Sequence, residues 1–309
     1  MAYALTITHQ TLIMFILMLI GYICYHIGLI DSSGSKQLSN IVIYIANPAL
    51  LIQAFSASLT ASIWHNAGIT AGIIIGIYVI SIILIRIVLP KTDAINQFAI
   101  IFGNLGFVGI PLAQAVLGQE GVFYMSIFVG ISNFVIWTYG LSLVSNKSEK
   151  LSLSSVLKLL LNPCIVALFV GIIIAGLHIK LPAIISATIT DLSNINLPLV
   201  MIALGCYLAE GNVLQALKAK QLYTTVSWRL ITIPLVLIVL LFPLPQSLQA
   251  MRMTLLLGSA TPAAALMAIF SKKFGGNYLY STAVVSISTI ASLVTIPIVL
   301  SVAKYVWSI

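Results

Sequence analysis

Two apolar stretches of this chain are interrupted by residues that could together bind an anion. Gly103–Pro111 breaks one stretch, and Gly258–Pro262 breaks another in the second half of the chain. Because glycine and proline weaken the helical hydrogen-bond ladder, each stretch should become two half-helices inside the membrane. The N-terminus of a half-helix carries partial positive charge and unpaired N–H groups. With the side chains of Asn104, Ser259 and Thr261, these termini predict a receptor for a carboxylate; the alternative is a pair of packing kinks.

The candidate site has a core and a second tier. The core residues lie in the two breaks: Gly103, Asn104, Gly106, Phe107, Gly109, Pro111, Ser259, Thr261 and Pro262. The second tier holds the other polar or helix-breaking residues within apolar stretches: Asn47, Pro48, Asn133, Asn196, Pro198 and Arg229. A base inside the membrane is costly, so Arg229 is a functional candidate. It could balance a substrate carboxylate, brace freed carbonyls near a break, or extend to the cytoplasmic interface.

The remaining chemistry of the chain is sparse. The six acidic residues fall in loops or near the ends of apolar stretches, which disfavours a dedicated cation pump. Three cysteines without ligand spacing predict neither a disulfide framework nor a metal site. Phosphate-loop, zinc-helix and nucleophile-elbow motifs are missing, so we expect no enzyme and no cofactor beyond a possible coupling H⁺ or Na⁺. The basic residues are scattered singly, which argues against a nucleic-acid partner.

Composition identifies the elements that must position these residues. Of 309 residues, 61% are hydrophobic and 6% are charged, which places the chain in the lipid bilayer. A helix needs about 20 apolar residues to span. The sequence predicts ten spans: 8–29, 38–59, 66–89, 94–117, 121–145, 156–177, 183–209, 221–242, 249–270 and 279–305.

The largest polar segment divides these spans into two groups of five. Residues 1–148 and 149–309 then form two repeats, which have opposite topology because five is odd. Asn47-Pro48 pairs with Asn196-Leu197-Pro198, and Gly103-Asn104 with Gly258-Ser259, all at offsets near 150. Within the third span, the spacing of Gly68, Gly72 and Gly76 predicts a helix face that another helix approaches closely.

Lysine and arginine residues orient the chain. Apart from Arg229, ten of the thirteen fall on one side of the ten-span arrangement. By the positive-inside rule, both termini are then extracytoplasmic and the central loop is cytoplasmic. A multi-pass protein of the plasma membrane is the expected localisation.

Several motifs resemble the auxin efflux carrier family, which includes bacterial organic-acid and malate permeases. The run Gly103-Asn104-x-Gly106-Phe107-x-Gly109-Ile110-Pro111 is similar to the family's fourth-span crossover. Further similarities, which together cover nearly the whole chain, are Lys158-x3-Asn162-Pro163, Arg229-x4-Pro234, Thr261-Pro262-Ala263 and Phe270-Ser271-Lys272-Lys273-Phe274. The resemblance implies an all-α fold of ten helices in two inverted five-helix repeats, with broken and crossed helices 4 and 9. It also implies a scaffold from spans 1, 2, 6 and 7, a transport domain from spans 3–5 and 8–10, and a homodimer.

These observations predict a secondary carrier for small organic anions that works by alternating access. One alternative is a sodium-coupled symporter resembling bile-acid carriers, in which backbone carbonyls at the breaks, together with asparagine and threonine oxygens, would hold the ion. A membrane sensor that binds its ligand without moving it is the other alternative. The paired breaks disfavour the sensor, since a receptor needs only one stable site.

Overall fold

The structure is a computed structural model, and it describes residues 2–56, 61–144, 161, 163–177, 179–210, 219–273 and 276–307. Within these ranges the chain is helical, and the only β-type pairing is a single antiparallel bridge. The helices are α1 Ala2–His26, α2 Ser32–Ile41, α3 Asn47–Ser56, α4 Ala61–Val88, α5 Ala94–Ile101, α6 Ile110–Val135, α7 Leu141–Val144, α8 Pro163–Gly176, α9 Ala183–Asn194, α10 Asn196–Glu210, α11 Lys220–Ser227, α12 Ile233–Leu240, α13 Gln249–Ala260, α14 Leu266–Lys273 and α15 Tyr278–Val306.

Six helical segments of the described chain are long and apolar enough to cross a membrane. They are Ser32–Phe55, His65–Val88, Leu105–Val144, Ala183–Glu210, Lys220–Leu240 and Leu279–Val306. The predicted first and sixth spans correspond to shorter apolar helices, and the ninth to the two helices α13 and α14. The protein is therefore a multi-pass membrane protein, while the count of ten spans stays a prediction. The predicted central loop lies outside the described residues, and so do Lys158 and Asn162 of the predicted sixth span.

The 40-residue segment Leu105–Val144 folds back on itself at Gly118. Gly118 has φ 64° and ψ −152°, a backbone conformation that favours glycine. A Cβ on Gly109 would lie 3.1 Å from Met125 Sδ. In a straight helix, residues 16 apart would be separated by roughly 24 Å. The segment is thus two antiparallel helical arms, as predicted for the fourth and fifth spans.

Three π-helical turns each end two residues before a proline. The turns Val42–Ala46, Leu105–Gly109 and Trp228–Thr232 precede Pro48, Pro111 and Pro234 respectively. Proline has no N–H to donate to the preceding turn, so the ladder there shifts to a wider i→i+5 register. A fourth turn, Ile136–Gly140, has no proline after it. The three π turns before prolines contain or directly precede candidate site residues, namely Asn47, Gly106 and Arg229.

Close helix packing occurs at glycines other than those predicted. A Cβ added to Gly68, Gly72 or Gly76 would meet no atom of the described residues within 4 Å, so no described helix of this chain makes the predicted tight contact on that face. The close approach is instead between α1 and α10. A Cβ on Gly21 would overlap the Ile202 backbone, and one on Gly205 would lie 2.8 Å from the backbone nitrogen of Tyr22 and closer still to the Met18 carbonyl oxygen. Small residues let the two backbones touch here.

Candidate functional site

The two predicted breaks lie side by side and pair through their backbones. Residues 102–104, between α5 and the following π turn, are non-helical, and so are residues 261–264 after α13. The amide of Asn104 donates to the carbonyl of Pro262 at 2.8 Å, and that of Ala264 donates to Phe102 at 3.0 Å. Lipid cannot satisfy freed backbone groups, whereas here each break serves the other. The predicted interruption of both segments is confirmed, and we call residues 102–104 with 261–264 the crossover.

Arg229 joins the crossover to the helices on either side of it. Its Nε donates to the Thr261 carbonyl at 2.8 Å. Its Nη1 donates to the carbonyls of Ile100 and Ile101, both at 3.2 Å. Its Nη2 donates to the Gly258 carbonyl at 3.2 Å and to Thr261 Oγ1 at 3.1 Å. All five N–H donors of Arg229 are engaged, which confirms that it braces carbonyls freed near the breaks. Because Arg229 is only 3% exposed, the interpretation that its side chain extends to the cytoplasmic interface is wrong.

The charge of Arg229 lies near the middle of its span without an acidic partner. Arg229 is the tenth of the 21 residues of Lys220–Leu240, which places it roughly 14 Å along the helix from Lys220. The described acidic residues are exposed, apart from the half-buried Glu120, and none forms a hydrogen bond with Arg229. A buried cation surrounded by neutral dipoles lowers the cost of bringing an anion close to it.

Gly103 is required by this arrangement. A Cβ at this position would lie 2.9 Å from the guanidinium carbon of Arg229 and would overlap both Nη2 and Thr261 Oγ1. A Cβ on Gly109 would lie at an ordinary contact distance, 3.5 Å, from Thr261 Cγ2. Gly103 is therefore the glycine that allows the two halves of the crossover to approach.

Asn104 caps the half-helix that continues into α6. Its Oδ1 accepts a hydrogen bond from the Phe107 amide at 3.3 Å, as an N-cap side chain does. Its Nδ2 is buried and has no hydrogen-bond partner among the described residues, and the residue is 5% exposed. An unpaired donor thus stands at the positive end of a half-helix, where an anionic oxygen would be stabilised.

A small cavity adjoins the guanidinium. Its volume is about 10 Å³, and the polar residues that line it include Tyr78, Ser81, Arg229 and Ser259. This is about the smallest space that holds one water molecule. The crossover is therefore tightly closed in this conformation.

The predicted correspondence between the two breaks is partly wrong. The helices before the two interruptions end at Ile101 and Ala260, so the interruptions begin about 160 residues apart and not 150. Ser259 is still helical, and its hydroxyl donates to the Leu256 carbonyl at 2.7 Å. Pro262 is non-helical and within the crossover, whereas Pro111 lies in the first turn of α6. The reason is that the first half inserts a π turn before its proline and the second half does not.

The second-tier residues divide into a pair and a remainder. Asn196 Nδ2 donates to Asn47 Oδ1 at 2.7 Å, and both side chains are buried. A Cβ on Gly106 would lie 4.0 Å from Asn47 Nδ2, so this asparagine pair borders the turn that Asn104 caps. Pro48 and Pro198 follow the pair and are half-buried. None of the described contacts joins Asn133 to the crossover.

Sequence reasoning did not identify two polar residues that attach to the crossover. Ser288 Oγ accepts a hydrogen bond from the Ala263 amide at 3.1 Å and fixes α15 to the second break. Tyr78 lines the cavity beside Arg229. A signal for Ser288 existed, because the last span has a run of buried hydroxyl side chains: Ser281, Ser286, Ser288, Thr289 and Ser292.

Comparison with known proteins identifies the family. The family described as "Membrane transport protein" matches residues 6–300, so the chain belongs to it, and the resemblance to auxin efflux carriers is confirmed. The chain is 27% identical to an uncharacterised transporter of Methanocaldococcus jannaschii over 64% of this chain and 68% of that protein. It is 25% identical to a putative malonate transporter of Rhizobium meliloti over 66% and 67% of the two chains.

Proposed function

We propose that this member of the membrane transport protein family is a secondary carrier for small organic anions. The observation that carries the proposal is the unpaired Nδ2 of Asn104 at the N-terminus of a half-helix, next to the buried charge of Arg229. Both features attract a carboxylate. The name of the Rhizobium relative, a putative malonate transporter, supports the same substrate class.

The proposed mechanism is alternating access between two groups of helices. A scaffold from spans 1, 2, 6 and 7 would support a transport domain from spans 3–5 and 8–10, in two inverted repeats divided near residue 148. The packing of α1 along α10, and of α3 on α8, supports the scaffold group. The packing of α13 against α6 supports the transport group. The proposal includes a homodimer in the plasma membrane with both termini extracytoplasmic.

Sodium coupling at the crossover is disfavoured by the position of Arg229. The carbonyls that could bind Na⁺ are those freed by the breaks, and Ile101, Gly258 and Thr261 all direct theirs at the guanidinium. A second cation at the same oxygens would meet direct repulsion. A uniport or a proton-linked carrier is the better proposal.

Reconstituted vesicles test both parts. Purified protein should accumulate labelled monocarboxylates or malonate, and the rate should be unchanged when choline replaces sodium. Asn104→Ala and Pro111→Ala should each abolish flux while the protein remains folded in the membrane. Wild-type rates from both variants would remove the crossover from the transport site, and a strict sodium requirement would restore the symporter alternative.

A further inference from the structure

Six buried side-chain polar atoms of the described residues have no hydrogen-bond partner, and two of them belong to asparagines beside the first turn of the α6 half-helix. One is a donor, Asn104 Nδ2, in a residue that is 5% exposed. The other is an acceptor, Asn196 Oδ1, in a residue that is 1% exposed. Leaving such groups unpaired costs stability, so proteins seldom keep them without a use.

The two unpaired atoms approach the turn from different parts of the molecule. Asn104 caps the turn from the crossover side through the Phe107 amide. Asn196 reaches the same turn through Asn47, whose Nδ2 lies 4.0 Å from the position of a Cβ on Gly106. A ligand that entered between the turn and the asparagine pair would therefore meet a free donor on one side and a free acceptor on the other.

The presence of a free acceptor does not depend on how the oxygen and nitrogen atoms of the two side-chain amides are assigned. One N–H···O bond between two amides uses one oxygen and one hydrogen. Turning over both Asn47 and Asn196 again leaves one of the two carbonyl oxygens without a donor, in that case the oxygen of Asn47. The free acceptor is thus a property of the pair itself.

We infer that the substrate is a monoanion that carries a hydrogen-bond donor besides its carboxylate. This inference rests on the proposed function. The carboxylate would accept from Asn104 Nδ2, and the donor, a hydroxyl, an N–H or the acid proton of a half-ionised dicarboxylic acid, would bond to the carbonyl oxygen of the asparagine pair. A dianion would direct a second acceptor at that oxygen, and the five N–H groups of Arg229 are already engaged elsewhere.

Matched substrates test this inference in proteoliposomes of the wild-type protein. Lactate and isobutyrate differ by a hydroxyl in place of a methyl group. Hydrogen malonate, assayed at acidic pH, and monomethyl malonate have the same charge and differ in the acid proton. We expect kcat/KM to be about tenfold or more higher for the donor-bearing member of each pair, because its absence leaves a buried acceptor unpaired.

Two variants locate the preference. In Asn196→Leu the ratio should fall below about threefold, while isobutyrate is still transported. Ser193→Ala is the matched control: Ser193 is buried in α9 and its hydroxyl donates to Gln53 Oε1, so the tenfold ratio should persist. If Asn196→Leu does not fold, the wild-type ratios decide alone.

The outcomes separate the inference from the proposed function. Ratios within about twofold in the wild type, with clear anion flux, would overturn the inference and leave the carrier proposal standing. A tenfold ratio that Asn196→Leu preserves would also overturn it. No flux of any of the four anions through folded protein would overturn the proposed function itself.

Discussion

The substitution Arg229→Lys tests whether the crossover is held by the geometry of the guanidinium and not by its charge alone. Lysine keeps the positive charge at the same depth, but an ammonium has three N–H donors in place of five. The five acceptors of Arg229 lie on two sides of the crossover, from the Ile100 carbonyl to the Thr261 hydroxyl. At least two of the five hydrogen bonds must therefore be lost.

The size of the effect follows from those two bonds. A hydrogen bond to a charged group contributes about 1.5–3 kcal/mol, so two lost bonds cost about 3–6 kcal/mol of stability. One kcal/mol lowers the melting temperature of a large domain by roughly 2 °C or more. The melting temperature of Arg229→Lys should therefore fall by at least about 6 °C.

A thiol-reactive dye measures the transition directly in detergent. Cys164 and Cys206 are buried, at 9% and 0% exposure, and react only when the helices around them separate. Arg86→Lys is the control, because Arg86 is exposed and its guanidinium lies only over the ring of Tyr139 at 5.6 Å. Its melting temperature should stay within about 2 °C of the wild type. An Arg229→Lys protein that melts as late as this control would refute the bracing role.

Three further substitutions test the close contacts of two glycines and the hydrogen bond of one serine. Gly103→Ala should abolish folded, monodisperse protein in size-exclusion profiles, since the new methyl overlaps the Arg229 guanidinium, whereas Gly72→Ala, which meets nothing within 4 Å, should leave the profile unchanged. Gly205→Ala should lower the melting temperature by several degrees, because its methyl overlaps the α1 backbone; an unshifted melting curve would contradict that contact. Ser288→Ala removes the acceptor of the Ala263 amide and should cost about 1–3 kcal/mol, read as a shift of the same dye transition.

The positions of the breaks could be predicted from the sequence because glycine and proline act locally. Gly103, Pro262 and Gly118 do what their backbone chemistry requires, and the π turns before Pro48 and Pro111 follow from a missing N–H. The partners of the breaks were harder to predict. Nothing local distinguishes bracing from charge balancing for Arg229, since its acceptors are backbone carbonyls about 30 and 130 residues away.

Other failures of the sequence reasoning have the same origin. A glycine at every fourth residue of α4 is compatible with close helix packing but does not require a neighbouring helix. No described residue lies within 4 Å of a Cβ placed on Gly72. The predicted offset near 150 placed the prolines of the two halves at corresponding positions. In the structure the paired segments are the non-helical residues around Gly103 and Ala263, and a π turn lies between Gly103 and Pro111. Asn47 and Asn196 were predicted to occupy corresponding positions before prolines, but the hydrogen bond between their side chains was not predicted.

The backbone pairing of the crossover also constrains how the protein is made. The Asn104 amide and the Phe102 carbonyl find partners only in residues translated about 160 positions later. At roughly 5–20 residues per second, a ribosome needs about 8–30 s to supply them. Bare lipid could not satisfy these groups during that interval. The nascent first half must therefore stay in contact with the insertion machinery until Pro262 and Ala264 have been translated. A chain released at its midpoint would expose unpaired backbone groups to the bilayer.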